Sequence, residues 1–191
     1  MTDRIDPVLH LQELARVVER AASEMAGPIR AAASLVRETL AADGTLFFCG
    51  NGGSAADAQH IATEYVVRFQ RERRALRALA LTTDTSLLTA AANDFSFDEV
   101  FSRQVEALGR AGDLLVVHTT SGNSANCIRA VEAAKRRGMR SLVLTARDGG
   151  RIRTLADLCL IVPTENTAHA QELHLAIQHA ICDVVDAEMA R

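Results

Sequence analysis

Cys49-Gly50-Asn51-Gly52-Gly53-Ser54-Ala55-Ala56-Asp57-Ala58-Gln59-His60 follows the apolar run Leu46-Phe47-Phe48 and leads, one helical turn later, to Glu64. Strand, glycine turn and helix N-terminus thus arrive in the order that builds an anion site. Backbone N–H groups are offered at the glycines, and the helix dipole favours negative charge there. The i, i+4 spacing of His60 and Glu64 puts both side chains on one helix face. A phosphate cradle beside a ligand-and-base pair is the combination a phosphosugar enzyme needs.

Outward from this stretch, short apolar runs alternate with helical segments. Strands are expected at Leu46–Cys49, Ala78–Leu81, Leu114–His118, Ser141–Thr145 and Leu158–Val162. Helical stretches are expected near 54–69, 85–92, 98–108, 124–137 and 150–156, with a last helix over about 168–190. Strands apolar over consecutive residues are covered on both faces, as in a parallel sheet. Repeated β-then-α order predicts an α/β, doubly wound parallel sheet of five strands with right-handed crossovers. Ligands of such sheets bind beyond the strand carboxyl ends, where the strand order reverses. Ahead of this core, residues 7–42 read as two amphipathic helices broken near Gly27-Pro28. The whole chain, 1–191, reads as one domain, with a helical segment over 1–43 and an α/β core over 44–191.

Composition narrows the function classes. Among 191 residues, 48% are hydrophobic, 24% are charged and the net charge is −3, the profile of a globular protein with no general attraction for nucleic acid or anionic lipid. No apolar run approaches the roughly 20 residues of a membrane span. Met1-Thr2-Asp3-Arg4-Ile5-Asp6 lacks a basic region followed by an apolar stretch, so no leader is expected and a cytoplasmic location follows. Cys49, Cys127, Cys159 and Cys182 are scattered with no C-x-x-C pair, which predicts buried free thiols. Arg68, Arg71, Arg73, Arg74 and Arg77 lack interleaved aromatics beyond Phe69, so the cluster reads as a solvated or interfacial stretch, with Arg68 close enough to touch an anionic substrate.

A second loop, His118-Thr119-Thr120-Ser121-Gly122-Asn123-Ser124, stands where a strand ends and a helix begins. Its hydroxyls suit phosphate oxygens, and Ser124 is placed to cap the helix that follows. Alone, such a loop is an ordinary turn; beside the Gly50–Ser54 turn it points to a shared phosphorylated ligand. The last helix offers Gln171, Glu172, His174 and His179. Gln171 and His179 lie roughly 12 Å apart along a helix axis. For both to reach one small ion, the helix must pass close over the site or two subunits must contribute. Histidine, carboxylate and amide oxygen form a borderline donor set suited to zinc or another divalent metal. Asn93-Asp94 ends a helical stretch, as a plain turn or as a pair of groups for sugar hydroxyls.

Together these motifs resemble a known family. C-G-N-G-G-S-A-A-D-A-Q-H-I-A-T-E at 49–64, T-S-L-L-T-A-A-A-N-D at 85–94, T-S-G-N-S at 120–124 and Q-E-L-H-L-A-I-Q-H at 171–179 resemble the sugar isomerase (SIS) domain and, more narrowly, the phosphoheptose isomerases. The resemblance implies a flavodoxin-like sheet with N-terminal helices, assembled as a homotetramer with active sites at subunit interfaces. It implies conversion of sedoheptulose 7-phosphate to D-glycero-D-manno-heptose 7-phosphate through an enediol(ate), opening the route to nucleotide-activated heptose for lipopolysaccharide and other glycans. It also implies one zinc per subunit through His60, Glu64, Gln171 and His179, with Glu64 and His179 as the acid–base pair. Asn51, Gly52, Gly53, Ser54, Glu64, Asn93 and Asp94 would line the sugar site, Thr119, Thr120, Ser121 and Ser124 would hold the phosphate, and Gln171 would also reach the substrate.

Thr119 stands where the family usually has serine, His169 where a basic residue is common, and Ala170 where isoleucine is common. These departures touch substrate affinity and heptose preference rather than the chemistry. The rival within the fold is non-catalytic, a phosphosugar-binding regulator or a replication-initiator-associating adaptor. Such proteins share the glycine turn but tend to lack the glutamate and the second histidine, so Glu64 and His179 together favour the enzyme.

Overall fold

The computed structural model describes residues 6–190. Met1–Ile5, most of the stretch in which no leader is expected, lie outside them, as does Arg191. Two helices open the described chain, α1 (Pro7–Glu24) and α2 (Ala26–Ala41). The Asp6 side chain accepts from Val8 N at 2.9 Å and Pro7 fills the first helical position, where a missing N–H costs nothing. The break between the helices falls at Met25, two residues before the expected Gly27-Pro28. Pro28 occupies the first turn of α2, where its fixed φ is already helical and no i−4 partner is required.

The core continues with β1 (Leu46–Gly50), α3 (Gly53–Val66), β2 (Ala78–Ala80), α4 (Thr85–Asp94), α5 (Ser102–Leu108), β3 (Leu114–His118), α6 (Ala125–Arg136), β4 (Arg140–Ala146), β5 (Leu158–Val162) and α7 (Thr167–Met189). Two expected helices are corrected. The stretch 98–108 divides into a 3₁₀ turn at Phe97–Glu99 and α5, and the stretch 150–156 holds only a 3₁₀ turn at Arg151–Thr154. The second lies between Gly149 and Gly150, both at positive φ, and β5, which leaves no length for a helix to nucleate.

All five strands pair in parallel in the order β2-β1-β3-β4-β5, the flavodoxin-like doubly wound sheet. Its two faces carry separate cores. Leu46, Phe48, Leu114, Val116, Leu142 and Leu144 turn toward α1, α2, α3 and α7. Phe47, Cys49, Leu115, Val117 and Val143 turn toward α4, α5 and α6. Burial on both faces is the reason these strands show no polar alternation. β1 runs left to β2 through α3, whereas β3 runs right to β4 through α6, so right-handed crossovers put α3 and α6 on opposite faces. Between β1 and β3 the order reverses, and a crevice opens beyond their carboxyl ends. Among the described residues no helix is long and apolar enough to cross a membrane. The four cysteines are free, with Cys49, Cys127 and Cys182 buried and Cys159 half-buried.

The arginine cluster is corrected at one position. Arg73 is buried, its side chain 2% exposed, and pairs with an equally buried Asp186 at 2.6 Å. Arg73 also donates to the carbonyls of Glu64 at 2.6 Å and Tyr65 at 3.0 Å, which the end of α3 leaves without helical partners. The Asp186 carboxylate further accepts from the backbone of Gln70 at 2.8 Å and Arg71 at 2.5 Å. Burial alone would raise its pKa, but these backbone bonds and Arg73 hold it below the ordinary carboxylate value. The irregular segment after α3 is thereby stapled to α7.

Two imidazoles are also fully buried. His174 donates from Nε2 to the Thr145 carbonyl at 3.1 Å, and His118 Nε2 accepts from the Gln178 amide at 3.0 Å. Burial holds His118 down at about 3, helped by the neighbouring His174, and holds His174 at about 4. Both values lie below the ordinary imidazole pKa of about 6.5, so the unfolded chain binds more protons than the folded one below that pH. Stability is therefore full above about pH 6.5 and falls on acidification, by about 1.4 kcal/mol per pH unit for each ring. Urea midpoints taken from pH 7.5 to 5 are expected to drop accordingly, and His118→Gln is expected to remove about half of that slope. Asp186→Ala, which strands the Arg73 guanidinium in the interior, is expected to cost about 3–5 kcal/mol in denaturant melts at pH 7.

Candidate active site

Gly52 caps α3 with φ +58° and ψ −123°, a backbone conformation that side-chain-bearing residues avoid. Ser54 N and Ala55 N bond back to the Asn51 and Gly52 carbonyls, at 3.1 and 3.0 Å, which makes the turn one tight unit. Gly53 is placed for a different contact: a Cβ there would stand 2.8 Å from both amide atoms of Gln171. The closing helix therefore delivers Gln171 onto the glycine turn.

Facing that turn across the β1/β3 crevice is the hydroxyl loop. Asn51, Ser54, His118, Thr119, Thr120, Ser121, Ser124 and Gln171 line one small concavity. Five hydroxyls and two amides converge there at the N-terminus of α3, chemistry that suits the oxygens of a phosphate. Ser124 stands at the N-cap position of α6, but its side chain makes no capping hydrogen bond, contrary to the expectation that it would. Its hydroxyl belongs to the concavity instead. His118 is a pocket residue that reading the sequence did not single out. The one signal was a polar side chain closing an apolar strand.

Two turns further along α3, about 10 Å down the axis, lies a second group. His60 Nε2 is 3.2 Å from Glu64 Oε1 and 3.4 Å from His179 Nε2. The His60 and His179 rings meet edge to face at 5.0 Å, and Phe69 stacks on His179 at 5.3 Å. Burial, then repulsion from His60, lowers the His179 pKa, against the opposing pull of Glu64. One donor atom from each of the three lies within 4.8 Å of the others. Ligands on a tetrahedral zinc stand about 3.3 Å apart, from metal–nitrogen bonds of about 2.0–2.1 Å. Two imidazoles and a carboxylate at these separations fit such an ion.

The remaining expected residues are Gln171, Asn93, Asp94 and Arg68. Gln171 lines the hydroxyl concavity, with its amide against Gly53. Asn93 and Asp94 close α4, joined by an amide-to-carboxylate bond of 2.8 Å, and Asp94 lines a groove with Phe95 and Arg103. Arg68 is exposed just past the end of α3. A further trio links α1 to α7: His10 Nε2 is 3.0 Å from Glu172 and its Nδ1 is 3.2 Å from His169 Nε2. That spacing reads as a hydrogen-bonded chain, because the two nitrogens of His10 face different partners.

A family model described as the SIS domain matches residues 10–146. The phosphoheptose isomerase of Neisseria meningitidis serogroup A is 52% identical over 180 residues, covering 93% of this chain and 91% of that protein. The solved phosphoheptose isomerase of Neisseria gonorrhoeae superposes with a TM-score of 0.88 at 49% identity, over 94% of this chain and 96% of that one. That of Francisella tularensis superposes at 0.90 with 36% identity, over 93% and 95%. With a glycine turn, a hydroxyl loop and a histidine–glutamate group on one doubly wound sheet, and with matches of that length and identity, the chain belongs to the SIS-domain family, among its phosphoheptose isomerases.

Proposed function

We propose that the chain is an aldose–ketose isomerase converting sedoheptulose 7-phosphate to D-glycero-D-manno-heptose 7-phosphate, the entry step to nucleotide-activated heptose, in the cytoplasm. The observation that carries this reading is the juxtaposition on α3 and α7 of a phosphate-shaped concavity and, two turns away, a carboxylate within reach of two imidazoles. A linear seven-carbon sugar phosphate needs that separation, because its phosphate and its carbonyl lie at opposite ends.

Moving a proton between C1 and C2 takes a base over the carbons and an acid on the oxygens. Glu64 is assigned the proton removed from C1 and returned at C2. His179, whose pKa burial and His60 hold down, is assigned the protons on the oxygens. Thr119, Thr120, Ser121 and Ser124 hold the phosphate, with Ser54 and the α3 dipole, while Asn51, Gly52, Gly53 and Gln171 border the sugar. His60, Glu64 and His179 would hold one zinc, with Gln171 as a fourth donor, and the ion when bound supplies Lewis-acid polarisation of the carbonyl and hydroxyl oxygens.

Arg68, Asn93 and Asp94 are assigned to the sugar site of an assembled homotetramer. The place of Asn93 and Asp94 at the end of α4, with Asp94 lining a different groove, supports a site completed across a subunit interface. So do the apolar side chains left exposed on α1, namely Val8, Leu9, Leu11 and Val18.

Incubation with sedoheptulose 7-phosphate is expected to yield an aldoheptose phosphate, and absence of product would return the chain to the regulator reading. Glu64→Gln is expected to lower kcat by about 10²–10⁴-fold while protection against thermal unfolding by the sugar phosphate persists. Near-parental turnover in that variant would remove Glu64 as the base. Dialysis against a chelator is expected to abolish turnover, with recovery on adding zinc. Metal analysis of the parent and of His60→Ala would show whether the loss follows this group.

A further inference from the structure

Asn126 lies in the first turn of α6, is 3% exposed, and was not singled out from the sequence. Its Oδ1 accepts from Asn51 Nδ2 at 2.8 Å, and its Nδ2 donates back to Asn51 Oδ1 at 2.8 Å. The same Oδ1 accepts from Cys127 N at 2.9 Å. That third bond orients the pair: a backbone N–H must face oxygen, so the Asn126 amide has one acceptable orientation, and Asn51 then has one as well. The second N–H of Asn51 points at Cys127 Sγ, 3.8 Å away. Both side-chain donors of Asn51 are thereby directed into the protein rather than toward the sugar.

We infer that Asn126 is a positioning residue, tying the glycine turn to the hydroxyl loop through Asn51 and so setting the width of the anion cleft. The two loops leave neighbouring strands, β1 and β3, whose crossovers go to opposite faces of the sheet. No helix covers both, so their separation at the reversal point depends on contacts made across it. The reciprocal amide pair is such a contact, 75 residues apart in sequence. Buried and reciprocally bonded, it specifies a single geometry, since slipping either side chain would leave polar groups without partners. Ser124, at the N-cap of the helix that bears Asn126, moves with it. The catalytic part of this inference rests on the isomerase reading; the cleft part does not.

The test is a double-mutant cycle on the full chain with Asn51→Ala, Asn126→Ala and the pair. Asn126→Leu is added because it nearly fills the same space, adds no charge and removes the amide pair. Two quantities are read: kcat/KM on sedoheptulose 7-phosphate, and the protection against thermal unfolding given by inorganic phosphate, which needs no turnover. Asn126→Ala is expected to lower kcat/KM on the order of 10- to 100-fold and to weaken phosphate protection. Neither loss should deepen when Asn51→Ala is already present. Asn126→Leu should show a comparable loss that likewise vanishes in the Asn51→Ala background, and it carries the cycle alone if Asn126→Ala melts below the assay temperature.

Losses that multiply, or an Asn126→Ala variant within twofold of the parent on both readouts, overturn the inference. So does a parent that phosphate does not protect, because no anion cleft then exists to be shaped. A parent that is protected by phosphate yet makes no heptose product sinks the isomerase reading instead, and the phosphate cycle still decides the tie.

Discussion

Right-handed crossovers from neighbouring parallel strands cannot share a face when the chain leaves in opposite directions, and everything at this site follows from that constraint. β1 and β3 are adjacent, yet β1 leads through α3 on one face and β3 through α6 on the other. Their carboxyl ends therefore splay into a crevice. The glycine turn and the hydroxyl loop are the two lips of that crevice, and an anion between them meets a helix N-terminus on one side and side-chain hydroxyls on the other.

A crevice alone binds; the chemistry needs α7. That helix packs along α3 on the face shared with α1 and α2, bringing Gln171 onto Gly53 and His179 beside His60. Two contacts roughly two turns apart on each helix set the distance between the hydroxyl-lined concavity and the His60–Glu64–His179 group. The buried Arg73–Asp186 pair holds the arrangement at its far end, closing the last carbonyls of α3 and anchoring the following segment to α7. Glu64 is thus fixed through its own backbone carbonyl as well as through its helix. The buried His118 and His174 serve the same packing from beneath, as neutral groups whose partners lie on β4 and α7.

Much of this was legible in the residues. Consecutive apolar positions in Leu114–Val117 announce a strand covered on both faces, and repetition of that pattern between helices leaves few topologies. Gly52 was legible because only glycine takes its backbone angles cheaply. His60 and Glu64 were legible because a helix puts i and i+4 together whatever surrounds it. Other features were not. The start of α2 at Met25 was misjudged because Pro28 is as compatible with a first turn as with a break. Arg73 looked like a surface charge because its partner lies more than a hundred residues later. Asn126 looked like an ordinary helix residue, since nothing local marks an amide whose partner is on another strand's loop.

The division is between short-range and long-range physics. Hydrophobic periodicity, glycine backbone freedom and helix spacing act within a few residues, so the sequence by itself determined the element order, the glycine turn and the His60–Glu64 pair. Which distant groups share a site depends on how helices pack across a sheet. Only the tertiary structure decided that His179 lies beside His60 and Glu64, that Gln171 lies against Gly53, and that Asn51 is tied to Asn126. Those contacts are chosen by side-chain packing and by the need to pair every buried polar group, neither of which is written in local spacing.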